Sequence, residues 1–77
     1  MKEVWVVSFV DYHDRAVFST AEKAYNCIVE ELNYSSMFSD KVRQELLDEL
    51  ADDYIESSDN FGVTDFGWAE KIEVDTW

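Results

Sequence analysis

Proline is absent from this 77-residue chain, glycine occurs twice and cysteine once. With no proline and so little glycine there is no linker to divide it, and its length is that of one domain spanning residues 1–77. The single cysteine, Cys27, excludes an intrachain disulfide and any site built from several thiolates. No apolar run approaches the ~20 residues needed to cross a bilayer. The opening MKEVWVVSFVDY is too short and too soon acidic for a signal peptide. A cytoplasmic protein is therefore expected. Cations are scarce as well: 6 Lys+Arg stand against 18 Asp+Glu, a formal charge of −12. Such a surface is repelled by anionic lipid and has no Lys/Arg cluster that could release counterions from a phosphate backbone. Neither a membrane nor nucleic acid is an expected partner, and a basic protein is.

What the chain does have is apolar mass. Hydrophobic residues make up 47% and aromatics 16%, too much for a chain held open by its charge, so it should fold. A domain this small hides only about 60–65% of its unfolded surface, which leaves little room for a buried catalytic cleft.

Glu3 to Val10 is β-branched or aromatic on both parities and reads as a central strand. Asp11-Tyr12-His13-Asp14 supplies turn formers, and Arg15 to Phe18 resumes an extended pattern, giving a hairpin. Ser19-Thr20-Ala21-Glu22 matches a capping box with Ser19 as the cap. The helix it starts carries Ala21, Ala24, Tyr25, Ile28 and Leu32 on one stripe and should end near Asn33. Met37 and Phe38 are expected to tuck beneath the following turn. Ser39-Asp40 opens a second helix that reaches Glu56, with Leu46, Leu47, Leu50, Ala51, Tyr54 and Ile55 on its inner side. Ser57 to Asp65 reads as a loop, and Phe66-Gly67-Trp68 leads into a last strand ending near Asp75. There Trp68, Ile72 and Val74 alternate with Ala69, Lys71 and Glu73, the pattern of a sheet with one wet face. The expected fold is α+β: a small three-stranded sheet with two helices packed on one face, in the order β-β-α-α-β.

The feature with most chemical content is the outer side of the second helix. Glu45, Asp48, Glu49, Asp52, Asp53 and Glu56 fall within about 140° of arc and span about 16 Å of axis, close to one charge per 3 Å. A DNA strand carries one phosphate per 3.4 Å, so the charge density is comparable. Ordinary helix faces mix Lys with Glu, because like charges at i, i+4 cost a few tenths of a kcal/mol per pair. Here no Lys or Arg occurs between Gln44 and Glu70. Asp59 and Asp65 extend the acidic surface into the following loop. Phe61 in that loop and Trp77 at the chain end are the aromatics expected to stay exposed, and Phe61 among carboxylates would suit an interface anchor.

Other chemistries find less support. The twelve residues from Asp59 to Glu70 begin and end like a calcium loop, but Phe61 and Val63 occupy ligand positions and Thr64 stands where glycine must turn. Zinc would have to draw on Cys27 and His13, single residues on different elements. The same two residues are not placed to assist one another in nucleophilic catalysis. Carboxylates on a solvated helix lack the apolar pocket that would separate their pKa values. No catalytic residue, metal or cofactor is expected.

The stretches VWVVSFVDY and AVFSTAEKAYNCI resemble the opening of small phage-type proteins in which a hairpin runs into a helix through a similar phrase. In composition the chain is similar to acidic phage-encoded inhibitors that imitate DNA, the anti-restriction and anti-CRISPR class. The resemblance implies a non-enzymatic inhibitor in the host cytosol that occupies the basic nucleic-acid-binding channel of a host defence or DNA-processing protein. Its partner-binding residues would be Glu45, Asp48, Glu49, Asp52, Asp53, Glu56, Asp59, Phe61 and Asp65. The alternative is a small structural or regulatory interaction module, a homodimer joined through a sheet edge or exposed aromatics, whose acidity serves solubility.

Overall fold

The computed structural model describes residues 2–10, 15–56 and 59–74. His13, the turn around it, the end of the last strand at Asp75, and Trp77 lie outside the described residues. The elements are β1 (Lys2–Phe9), β2 (Ala16–Phe18), α1 (Ala21–Tyr34), α2 (Asp40–Glu56), β3 (Asn60–Val63) and β4 (Gly67–Val74). They form one antiparallel sheet in the order β2-β1-β4-β3, with both helices on one side. The α+β class and the two-helix layer are as expected. The sheet has four strands rather than three, and the order is β-β-α-α-β-β.

The strand missing from the expectation, β3, lies in the segment read as a loop. It pairs with β4 through Phe61↔Ala69 and Gly62↔Trp68, closed by a short turn in which the Phe66 amide donates to the Val63 carbonyl at 3.0 Å. Its four residues include one glycine, too few for a visible alternation. The direction of the last strand, open from sequence, is antiparallel to β1 along its whole length, from Lys2↔Val74 to Phe9↔Gly67.

The phase of β4 is the reverse of the expected one. Ala69 is fully buried against the helices, whereas Trp68 is half-buried and Ile72 is 42% exposed on the opposite side. Helix α1 packs over β1 and β4, and small residues there let it come close. Gly67 makes room for β1 instead: a Cβ on it would come within 2.6 Å of the ring of Phe9, its partner across the ladder.

Helix α1 is capped by Thr20 rather than Ser19. The Thr20 Oγ1 accepts from the Lys23 amide at 3.2 Å, and Ser19 Oγ lies 3.4 Å from Lys23 Nζ. The helix starts one residue later than a Ser19 cap requires. Ser39 caps α2 as expected, accepting from the Val42 amide at 3.3 Å. Of the α2 inner stripe, Leu50 is fully buried and Leu46, Leu47, Ala51 and Tyr54 are half-buried, but Ile55 is 80% exposed beyond the edge of the core. Phe38 packs edge-on against Phe66 at 5.9 Å, while Met37, expected beneath the turn, is exposed.

The core joins Trp5 and Val7 of β1, Ala24, Ile28 and Leu32 of α1, Leu50 of α2, and Phe61, Val63, Phe66 and Ala69 from the C-terminal hairpin. Tyr25 of α1 stacks on Tyr54 of α2 at 4.4 Å, so the helices run antiparallel. On the far side of the sheet, cross-strand partners place Val4, Val6, Val17, Trp68, Ile72 and Val74 together, outside the core cluster and uncovered by any helix.

Candidate functional site

Helix α2 rests on β3 and against α1 through its Leu side, which leaves the acidic side outward. Glu45, Asp48, Glu49, Asp52 and Glu56 are all exposed. None of these five pairs with a cation among the described residues. Asp48 accepts from the Gln44 side-chain amide at 3.1 Å, a contact within the helix that leaves its charge uncompensated.

The sixth carboxylate has a different task. Asp53 is half-buried, and its Oδ2 accepts from the backbone amide of Gly62 at 2.8 Å. Strand β3 is an edge of the sheet, so this amide has no strand partner and the α2 carboxylate takes it instead. Gly62 is held close there. At φ 158° its Cβ position would lie 2.4 Å from the Trp68 Cα. Glu49, Asp52, Asp53 and Glu56 line a surface depression together with Gly62 and Thr64.

The loop residues expected to extend the surface are scattered. Asp59 is exposed and pairs with Lys71 at 3.0 Å, and Lys71 lies 3.8 Å from Glu3. The Asp59 hydrogen bond, then the Glu3 charge, raise the Lys71 pKa above its usual value. Asp65 is exposed in the β3–β4 turn. Phe61, expected as an exposed anchor, is 2% exposed at the centre of the core. Its ring meets Tyr54 at 5.0 Å, Trp5 at 5.3 Å and Tyr25 at 6.2 Å. Membership in β3, directly opposite Ala69, points it beneath the helices.

No group of three or more His, Cys, Asp or Glu side chains that could hold a metal occurs among the described residues. The Asp59–Glu70 frame is occupied largely by the paired strands β3 and β4. Cys27 is half-buried, and burial, followed by the charges of Glu31 and Glu30, raises its thiol pKa, so the thiol stays protonated.

A residue that the sequence did not single out organises the N-terminal end of α2. Arg43 donates from Nε to the Leu32 carbonyl at 3.2 Å, and from its second terminal nitrogen to the carbonyls of Ser35 at 2.7 Å and Phe38 at 3.3 Å. It also pairs with Asp40 at 2.8 Å. The last turn of α1 has no basic residue of its own, and Arg43 reaches across to satisfy its carbonyls. A lone arginine one turn into a helix that follows a short connection was the available signal.

Comparison of the chain with protein-family models, curated proteins and solved structures finds no match.

Proposed function

We propose that this chain is a non-enzymatic, acidic inhibitor of the phage type that acts in the host cytosol. Its α2 face stands in for phosphates in the basic nucleic-acid-binding channel of a host defence or DNA-processing protein. The observation that carries this reading is the row of Glu45, Asp48, Glu49, Asp52 and Glu56, without a cation partner among the described residues, on one side of a helix whose other side is packed. Uncompensated like charges at helical spacing are unfavourable by themselves, and a cationic groove removes that cost. Asp53 contributes charge from its bonded position, and Asp59, half neutralised by Lys71, contributes less. Phe61 has no part in the contact, because it is enclosed.

The test is capture from a bacterial lysate with the wild type and an Asp48→Asn, Glu49→Gln, Asp52→Asn variant side by side. A nucleic-acid-binding protein should be retained by the wild type alone, be displaced by duplex DNA, and be released as salt rises from 50 to 300 mM. A partner held equally by the variant, or insensitive to DNA and salt, favours the alternative of an interaction module whose charge serves solubility.

A further inference from the structure

Strand β3 is one edge of the sheet, and half of its backbone faces outward. Hydrogen-bonded positions alternate along an antiparallel pair, and the Lys71 amide donates to the Asp59 carbonyl at 2.8 Å, so Asp59, Phe61 and Val63 turn their peptide groups to β4. Asn60 and Gly62 turn theirs away from it. Asp53 takes the Gly62 amide, but the Asn60 amide and the carbonyls of Asn60 and Gly62 have no partner among the described residues. Such an edge is a template for one more strand. Both of its flanks are acidic. On the helix side Glu49, Asp52, Asp53 and Glu56 line a depression with Gly62 and Thr64, and this row covers about 10 Å of helix axis beside a strand of about 13 Å. On the helix-free side a second depression reaches from the same edge to Trp68 and Glu70, the cross-strand partners of Gly62 and Asn60.

We propose that this edge receives an extended basic segment of a partner protein, added antiparallel to β3 as a fifth strand. Residues of that segment opposite Asn60 and Gly62 bond to the edge and place their side chains on the helix-free side, whereas the residues between them point to the α2 row. Lysine or arginine at every second position, about 6.8 Å apart, then meets Glu49, Asp52 and Glu56 while the intervening peptide groups pair with β3. Asp53 makes the edge selective. By holding the Gly62 amide it removes one of the four bonds an added strand would form at Asn60 and Gly62, and a cationic strand recovers that loss from the acid row where an uncharged one does not. A second copy of this chain is rejected, because β3 against β3 would bring two such rows together. The proposal rests on the reading of α2 above only in taking the partner as basic, and it adds the form that the partner's chain takes.

Amide NMR titration of the full chain with three blocked octapeptides tests it, at about 50 mM NaCl to limit screening. The first alternates lysine with threonine. The second alternates lysine with proline, which keeps the charge and removes the N–H groups that would reach the Asn60 and Gly62 carbonyls. The third alternates glutamine with threonine and keeps the strand without the charge. The lysine-threonine peptide should bind, shift the amides of Asn60 to Thr64 most, and slow hydrogen exchange at the Asn60 amide. The other two should bind about tenfold more weakly or worse, as should the lysine-threonine peptide to a Glu49→Gln, Asp52→Asn, Glu56→Gln variant, whose three changes are all at exposed positions. Equal binding of the two lysine peptides would mean that charge alone attracts them and would overturn strand addition. Equal binding of the glutamine peptide, no binding by any of the three, or shifts centred away from β3 would overturn it as well. Lysate capture that is insensitive to DNA, alongside a lysine-threonine peptide that still adds to β3, would refute the channel reading and leave this site standing. Capture as expected, alongside equal binding of the two lysine peptides, would do the reverse.

Discussion

Replacing Phe61 with alanine removes the ring on which Trp5, Tyr25 and Tyr54 converge. At 2% exposure almost the whole side chain is enclosed, and its neighbours come from β1, α1 and α2, so no single element can relax into the space. Loss of transfer energy together with the cavity costs about 3–5 kcal/mol. A chain of 77 residues has a total stability of about 4–12 kcal/mol at the usual value per residue. The substitution should therefore remove between about a quarter of that stability and all of it. Phe61→Leu keeps most of the volume but loses the ring edges, and should cost about 1–2 kcal/mol with a fall in Tm of roughly 5–15 °C. Urea titrations followed by far-UV circular dichroism and by tryptophan fluorescence would measure both, with the m value as a check on two-state behaviour. The fluorescence reports directly because Trp5 is in contact with the deleted ring. A loss below about 1 kcal/mol for the alanine variant at unchanged m would mean that Phe61 is not enclosed. The placement of β3, and of α2 upon it, would then be wrong.

Asp53→Ala leaves the Gly62 amide without its acceptor and should cost about 1–3 kcal/mol in thermal melts, whereas Asp53→Asn keeps an acceptor oxygen and should cost less. Gly62→Ala drives a methyl group into the Trp68 backbone and should destabilise by about 1–3 kcal/mol by the same measurement. Leu50→Ala empties a fully buried position and should cost roughly 2–5 kcal/mol, while Asp48→Ala, two residues away on the exposed side, should be neutral or slightly stabilising. Cys27 should react with iodoacetamide at pH 8 more slowly than a free thiol and accelerate only at higher pH, since burial and the Glu31 and Glu30 charges raise its pKa; Glu31→Gln should speed it.

Long, strongly periodic segments were legible in the sequence: both helices, their boundaries within a residue or two, and the Leu50 and Ile28 faces follow from spacing alone. The acidic side of α2 was legible for the same reason, since a helix that buries one stripe must display the other. Short elements were not. In β3, Phe61 and Val63 are the two inward positions, and Gly62 between them reads as a loop until Trp68 is known to lie across from it. The inversion of β4 has a related cause, because hydropathy places Trp68 and Ile72 inside, whereas the approach of α1 admits Ala69 and the Phe9 ring of β1 admits Gly67. Asp53 could not be separated from its acidic neighbours because its role depends on an amide nine residues away.

The full-length pairing of β1 with β4 also sets the order in which the chain can assemble. The two hairpins and the helical pair form from nearby residues, but the central ladder joins Lys2 to Val74 and cannot close until nearly the whole chain is present. Contacts at such separation are slow to form because the loop entropy is lost before the ladder forms. Until then each hairpin carries a long, apolar, unpaired edge, the kind of surface that joins to its like in a crowded solution. Nascent chains of this sequence carry their negative charge throughout that interval and repel one another. The acidity thus protects the molecule kinetically while its centre is still open.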